Sequence, residues 1–276
     1  QKRDAMKLIF VEAILIFITG AIYFALGDAE QDQYDFLSEL YDLTSGEMWT
    51  NNTNWLVHDN NTTLCDWYGI TCSGKWVQEI DLSSNGLGGP LPDKWERIPY
   101  LDNLDISNNK VLGTLPESIG NLTINNFFIS KNSMSGTIPS SIGNMKARLL
   151  YLDNNQFTGT LPNSIGNNPL MALTLDLNKF TGPVPESLGE IGSQLSVISA
   201  SFNDFTGVLP SGVCQAGVCS FQYNMHLECP SQAQCGKCML PLCNCGNTCS
   251  IDSDCDGGSC PGCSKGPWGY KTCGGV

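Results

Sequence analysis

Positive charge is in short supply in this sequence. Its 276 residues hold 14 Lys and Arg against 27 Asp and Glu, a net charge of −13. A nucleic-acid binder needs a basic face, so no nucleic-acid partner is expected. A surface of this sign also avoids anionic membranes and polyanions. Histidine is scarcer still. Only His58 and His226 occur, and neither falls in a Ser/His/Asp or Cys/His signature. A non-catalytic protein is therefore expected, with no cofactor and no bound metal. Cysteine is missing from the whole stretch between Cys72 and Cys214, and then twelve crowd between Cys214 and Cys273. An even total packed this densely points to an oxidising compartment and disulfides.

The N-terminus agrees with that compartment. Met6-Lys7 precedes an apolar run over 8–26, broken only by Glu12. Residues 1–27 read as a signal peptide, with Ala25-Leu26-Gly27 offering small residues for cleavage. The alternative is a single retained N-terminal membrane anchor of type II, with Lys2, Arg3 and Lys7 on the cytoplasmic side. Both readings place residue 28 onward outside the cell. Four N-x-[ST] sequons, at Asn51, Asn60, Asn61 and Asn121, fit a secreted glycoprotein, with at most one glycan on the adjacent Asn60 and Asn61.

From Trp76 the chain repeats itself. An Asn recurs at Asn85, Asn109, Asn132, Asn155, Asn178 and Asn203, in steps of 24, 23, 23, 23 and 25 residues. A Gly follows each Asn by four residues and a Pro by seven. Apolar residues alternate before the Asn, as in "LLYLDNN" ending at Asn155, which makes a short strand with an inward apolar side. Each Asn can satisfy backbone groups where the chain leaves the strand, inside the stack. Gly permits the next turn, and Pro fixes φ on the outer arc. No single copy can bury its apolar face, so the copies must stack.

The L-x-x-L-x-L-x-x-N pattern with its G-x-[ILV]-P continuation resembles the plant-type extracellular leucine-rich-repeat family over about residues 30–212. The resemblance implies an α/β solenoid of six repeats over 76–212, with parallel strands on a concave face. Residues 28–75 resemble the N-terminal cap of that family. "YDFLSELYDLTSG" sets Tyr34, Leu37 and Tyr41 on one helical face, with Gly46 as a stop. "NWLVHDNNTTLCDWYGITC" carries the cap's W…C-x-W-x-G-[IV]-x-C pattern, which implies a Cys65–Cys72 disulfide. Trp55 and Trp67 belong to the cap core.

The positions between the inward leucines form columns across the concave face. One reads Asp81, Asp105, Phe128, Tyr151, Thr174, Ser199, and the next reads Ser83, Ser107, Ser130, Asp153, Asp176, Ser201. Six strands span about 24 Å, enough for a peptide, a short glycan or one face of a small protein. Phe128 and Tyr151 are neighbouring aromatics beside Arg148 and Asp153, the composition of an interface centre. The candidate binding residues are Asp105, Phe128, Arg148, Tyr151, Asp153, Thr174 and Asp176, and the candidate partner is an extracellular protein, peptide or glycan.

After Pro210 the leucine pattern stops. Residues 213–244 read as a cysteine-rich C-terminal cap, in which Cys214, Cys219, Cys229, Cys235, Cys238 and Cys243 allow fifteen pairings. Residues 245–276 run C-x3-C-x5-C-x4-C-x2-C-x9-C-G and resemble the carboxypeptidase-inhibitor knottins. That resemblance implies Cys245–Cys260, Cys249–Cys263 and Cys255–Cys273. The tail after the last Cys is only Gly274-Gly275-Val276, without the family's Pro and aromatic. A zinc site would need reduced thiolates, and an EF-hand calcium loop from Asp252 would need Glu where Cys263 stands. The leading function is recognition through the concave face. A self-associating structural glycoprotein and a metallocarboxypeptidase inhibitor are the alternatives.

Overall fold

The computed structural model describes residues 29–57, 61–228 and 230, and the backbone of the short strands Cys238–Met239, Cys263–Lys265 and Lys271–Cys273. The leader over 1–27, His58, Asn60 and the sulfurs of Cys245, Cys249, Cys255, Cys260, Cys263 and Cys273 lie outside the described residues. The backbone of Cys263–Lys265 pairs antiparallel with Lys271–Cys273 and sets Cys263 opposite Cys273.

A helix over 29–43, α1, opens the described chain. Gln33, Phe36, Leu37 and Leu40 are its buried positions, at the spacing of one helical face. Tyr34 and Tyr41 flank that face and are only partly buried. Gln33 Oε1 accepts from Val77 N at 2.9 Å, which ties α1 to the first strand of the solenoid. Thr44 Oγ1 donates to Leu40 O at 2.6 Å, and Ser45, at φ 57, turns the chain out of the helix. The left-handed stop is thus Ser45 rather than the expected Gly46. Gly46 opens the next turn, where a Cβ would stand 2.1 Å from the Tyr41 ring. Under α1 the rings of Tyr41, Trp49, Trp55 and Trp67 pack in a chain, with Trp49–Trp55 and Trp55–Trp67 centroids each 4.8 Å apart. Trp55 and Trp67 are buried, as cap-core residues are. Cys65 and Cys72 are disulfide-bonded with Cα atoms 5.6 Å apart, beside the hairpin Ile70–Ser73 and Trp76–Asp81.

Beyond that hairpin the main sheet is parallel. Its rungs are Trp76–Asp81, Asn103–Asp105, Asn126–Phe128, Leu149–Tyr151, Ala172–Thr174, Val197–Ser199 and Val218–Ser220, followed by Cys238–Met239. A second, seven-stranded sheet runs from Gly88–Gly89 to His226–Glu228 along the adjoining side. The outer arc is made of short turns. Pro116, Pro139, Pro162, Pro185 and Pro210 each precede one and accept from the N–H three residues on, at 3.0–3.1 Å. Between the layers Phe157, Phe180, Phe205 and Phe221 form a buried row with successive centroids 6.2, 5.9 and 6.5 Å apart.

The asparagines join the coils. Asn155 donates to Ile129 O, Leu152 O and Asp153 O, and its Oδ1 accepts from Met134 N at 3.1 Å. Each bond set spans one coil and the coil before it. The same geometry recurs at Asn178 and Asn203. It recurs again at Asn224, which is fully buried and accepts from Phe205 N at 3.1 Å. The coil therefore continues past Pro210, where the leucine spelling ends. Cys219 and Phe221 occupy the inward positions there, both at most 1% exposed. Cys214 and Cys219 each take part in a disulfide.

Two stability outcomes follow. Asn155→Ala strands the Met134 N–H inside the stack and leaves the Ile129 and Leu152 carbonyls only their bonds from Asn132 and Asn178, and should cost about 2–3 kcal/mol in urea unfolding. Exposed Gln156→Ala in the neighbouring strand should stay within about 0.5 kcal/mol of the parent. Replacing Cys65 and Cys72 by Ser should cost about 2–3 kcal/mol, as the short closed loop no longer restricts the unfolded chain.

Candidate recognition face

The outward positions of the main sheet stand in register. Asp81, Asp105, Phe128, Tyr151, Thr174, Ser199 and Ser220 are successive Cα partners, one per rung. The column arises because each rung hides the residue just before it: Ile80, Leu104, Phe127, Leu150, Leu173 and Ile198 are all fully buried, so the column residues that follow them face the other way.

Phe128 and Tyr151 lie at the middle of this column, half-buried, with centroids 4.8 Å apart and ring planes at 39°. Beside them Asp153 gathers three donors. Ser130 Oγ is at 2.6 Å, Thr174 Oγ1 at 2.7 Å and Asn154 Nδ2 at 3.0 Å. Burial pushes the Asp153 carboxyl up, but the bonds from Ser130, Thr174 and Asn154 outweigh it and hold the group below its ordinary value. Asp176 accepts from Ser199 Oγ at 2.7 Å and from Ser201 N at 2.6 Å. Ser201 and Ser220 hydroxyls bond in turn at 2.8 Å. Together these networks reach across five rungs and lock the side chains on them.

The other candidates separate from this centre. Asp105 lies on the second rung and accepts from Ser107 N at 2.8 Å. Arg148 forms no pair with Asp153; it is exposed at the opposite edge of the strand, and its guanidinium lies 3.1 Å from Met171 Sδ. Of the sequons, Asn121 is exposed and donates to Glu96 Oε2 at 3.1 Å, and Asn61 is exposed. Asn51 is partly buried, and its Oδ1 accepts from Thr53 N and Thr53 Oγ1.

One column escaped the reading of strand positions. The residue before each ladder Asn is left-handed: Ser84, Asn108, Lys131, Asn154, Leu177, Phe202 and Tyr223 have φ between 54 and 61. Bulky side chains rarely adopt this conformation, and here the Asn bonds on the next residue enforce it. Leu177, Phe202 and Tyr223 are 47%, 47% and 58% exposed, and Phe202 and Tyr223 stack at 4.2 Å. The sequence signal was the residue immediately preceding each Asn, which turns from polar to apolar at Leu177. Among the described residues no cluster of His, Cys, Asp or Glu could hold a metal ion, and no helix is long and apolar enough to cross a membrane.

A family model for the Leucine Rich Repeat matches residues 100–122 and 146–168. Over 101 residues the chain is 39% identical to the LRR receptor-like serine/threonine-protein kinase GSO2 of Arabidopsis thaliana, covering 36% of this chain and 8% of that protein. It is 32% identical to Receptor-like protein 47 of the same plant over 109 residues, covering 38% and 13%. The chain thus spans less than a sixth of the length of these curated relatives. Among solved structures, the PEPR1–AtPEP1 complex superposes with TM-score 0.63 at 28% identity, covering 76% of this chain and 31% of that one. The Arabidopsis receptor kinase HAESA ectodomain, in complex with a peptide hormone ligand, superposes with TM-score 0.52 at 27% identity, covering 67% and 29%.

The Asp153 network has a pH signature. Its carboxyl is depressed on folding, so its contribution is present above the ordinary carboxylate value and is lost as pH falls through the folded value. Asp153→Asn should therefore be less stable than the parent at pH 7, and the difference in urea midpoint should shrink on moving to pH 3.

Proposed function

We propose that this leucine-rich-repeat solenoid, similar to the ectodomains of plant receptor-like proteins, is an extracellular recognition element that binds a peptide or protein through its concave face and carries out no chemistry. The observation that carries the reading is the Phe128–Tyr151 pair, two half-buried rings in contact at the centre of a hydroxyl- and carboxylate-lined sheet. Aromatic anchors surrounded by fixed polar groups are the composition of binding hot spots. The Asp153 and Asp176 networks pre-organise that surroundings, which reduces the ordering cost of binding. The HAESA neighbour, similar over 67% of this chain, holds a peptide hormone ligand in its complex. Glycans at Asn121 and Asn61 are part of the same proposal.

The test is affinity capture of partners from the native source by the full chain. Tyr151→Ala should weaken capture at least about tenfold while leaving the urea midpoint of the fold cooperative. Unchanged capture by Tyr151→Ala together with Phe128→Ala would remove the concave centre as the site.

A further inference from the structure

The concave face is electrostatically polarised along the solenoid. Four carboxylates stand at its first two rungs: Glu79, Asp81 and Asp105 on the strands and Asp102 just before the second. Asp81 and Asp105 are direct cross-strand partners. Like charges directly opposite one another destabilise a sheet. Among the described residues no ion pair offsets this. Glu79 accepts from Asn103 Nδ2 and Asp102 from Asn125 Nδ2, each at 2.6 Å, while Asp81 and Asp105 accept from Ser83 and Ser107. Every one of these donors is neutral. The ion pairs seen among the described residues, Lys75–Glu30 and Arg97–Glu39, involve none of the four.

Among the described residues the opposite end of the same face is uncharged. On the sixth and seventh rungs the outward strand positions are Val197, Ser199, Val218 and Ser220, and the stacked, exposed Phe202 and Tyr223 border them. Between the two ends lie the contacting rings of Phe128 and Tyr151.

We propose that the concave face takes an extended peptide segment that is cationic at one end and apolar at the other. The cationic end lies over Glu79, Asp81, Asp102 and Asp105, and the apolar end over Val197, Val218, Phe202 and Tyr223. This rests on the recognition reading above and assigns its ligand chemistry. A Lys or Arg over the first rungs supplies the charge that Asp81 and Asp105 lack, and strengthens in the partly shielded curve of the sheet. The seven rungs span about 29 Å at ~4.8 Å per strand, which an extended segment of about nine residues covers.

The probes are three pools of fluorescent ten-residue peptides, read by anisotropy against the full chain. One pool has Lys or Arg in one half and Leu, Val, Phe or Ser in the other. A second replaces the basic half by Asp or Glu, and a third is basic throughout. The first pool should bind at least about tenfold more tightly than the second, and more tightly than the third. Asp81→Asn with Asp105→Asn should weaken it at least about tenfold at 50 mM salt and flatten its salt dependence. Phe202→Ser with Tyr223→Ser should weaken it with the salt dependence retained. Without peptide, the Asp81→Asn, Asp105→Asn variant should melt no lower than the parent, since a repulsion has been removed, so a loss of binding is not a loss of fold. Equal binding of the first two pools, or no binding by any, overturns the assignment. If Tyr151→Ala abolishes binding while the Asp pair has no effect, the recognition reading stands and the charge assignment falls. If none of the three substitutions matters, both fall.

Discussion

The hydrogen bonds of the buried asparagines are the constraint on which the rest of this molecule depends. A coil of about 23 residues leaves carbonyls and N–H groups pointing into the stack, where no water can satisfy them. Asn155 answers for three carbonyls and one N–H from two coils at once, and Asn109, Asn132, Asn178, Asn203 and Asn224 bond across their coils in the same way. Because each side chain bonds the coil before it, it fixes the rise and register between coils as well as the turn itself. The straight column from Asp81 to Ser220 is a consequence of that register.

The same bonds decide which way neighbouring side chains point. The turn they stabilise puts the preceding residue in the left-handed region, a cost that Leu177, Phe202 and Tyr223 bear while staying about half exposed. Each of these side chains is held outward at the rim of the sheet. On the far side of the coil, prolines and short turns close the arc, and the Phe157–Phe221 row fills the space between. With inward, ladder and arc positions all committed to folding, the outward strand positions are left to vary. They are where the charge drifts from the carboxylates of the first rungs to the uncharged sixth and seventh.

Much of this was legible because the fold is built from local rules repeated. The six spelled copies, the alternation of hidden and outward positions, the glycine turn and the proline arc all follow from the pattern. So does the adjacency of Phe128 and Tyr151, since a repeat offset by 23 residues must bring equivalent positions together. The coil at Asn224 was not legible. Cys219 and Phe221 replace its leucines, and the Gly and Pro of the pattern are absent after it, yet any apolar side chain of suitable size fills those positions once the preceding coil has shaped them. The direction of the Arg148 side chain was not legible for a related reason. Sequence nearness to Asp153 says nothing about which edge of a strand a long side chain leaves from, and the structure turns it to Met171.

The sequence by itself determined that the chain coils, that the coils stack in register, and which residues form each column, because period and alternation are properties of the chain alone. Only the tertiary structure decided which of those residues are already committed to one another. Asp153 is held by Ser130 and Thr174 from neighbouring coils, whereas Asp81 and Asp105 face each other with neutral partners only. Hydrogen bonds between residues more than twenty positions apart depend on rotamer and depth within the stack, and neither is written in the order of the residues.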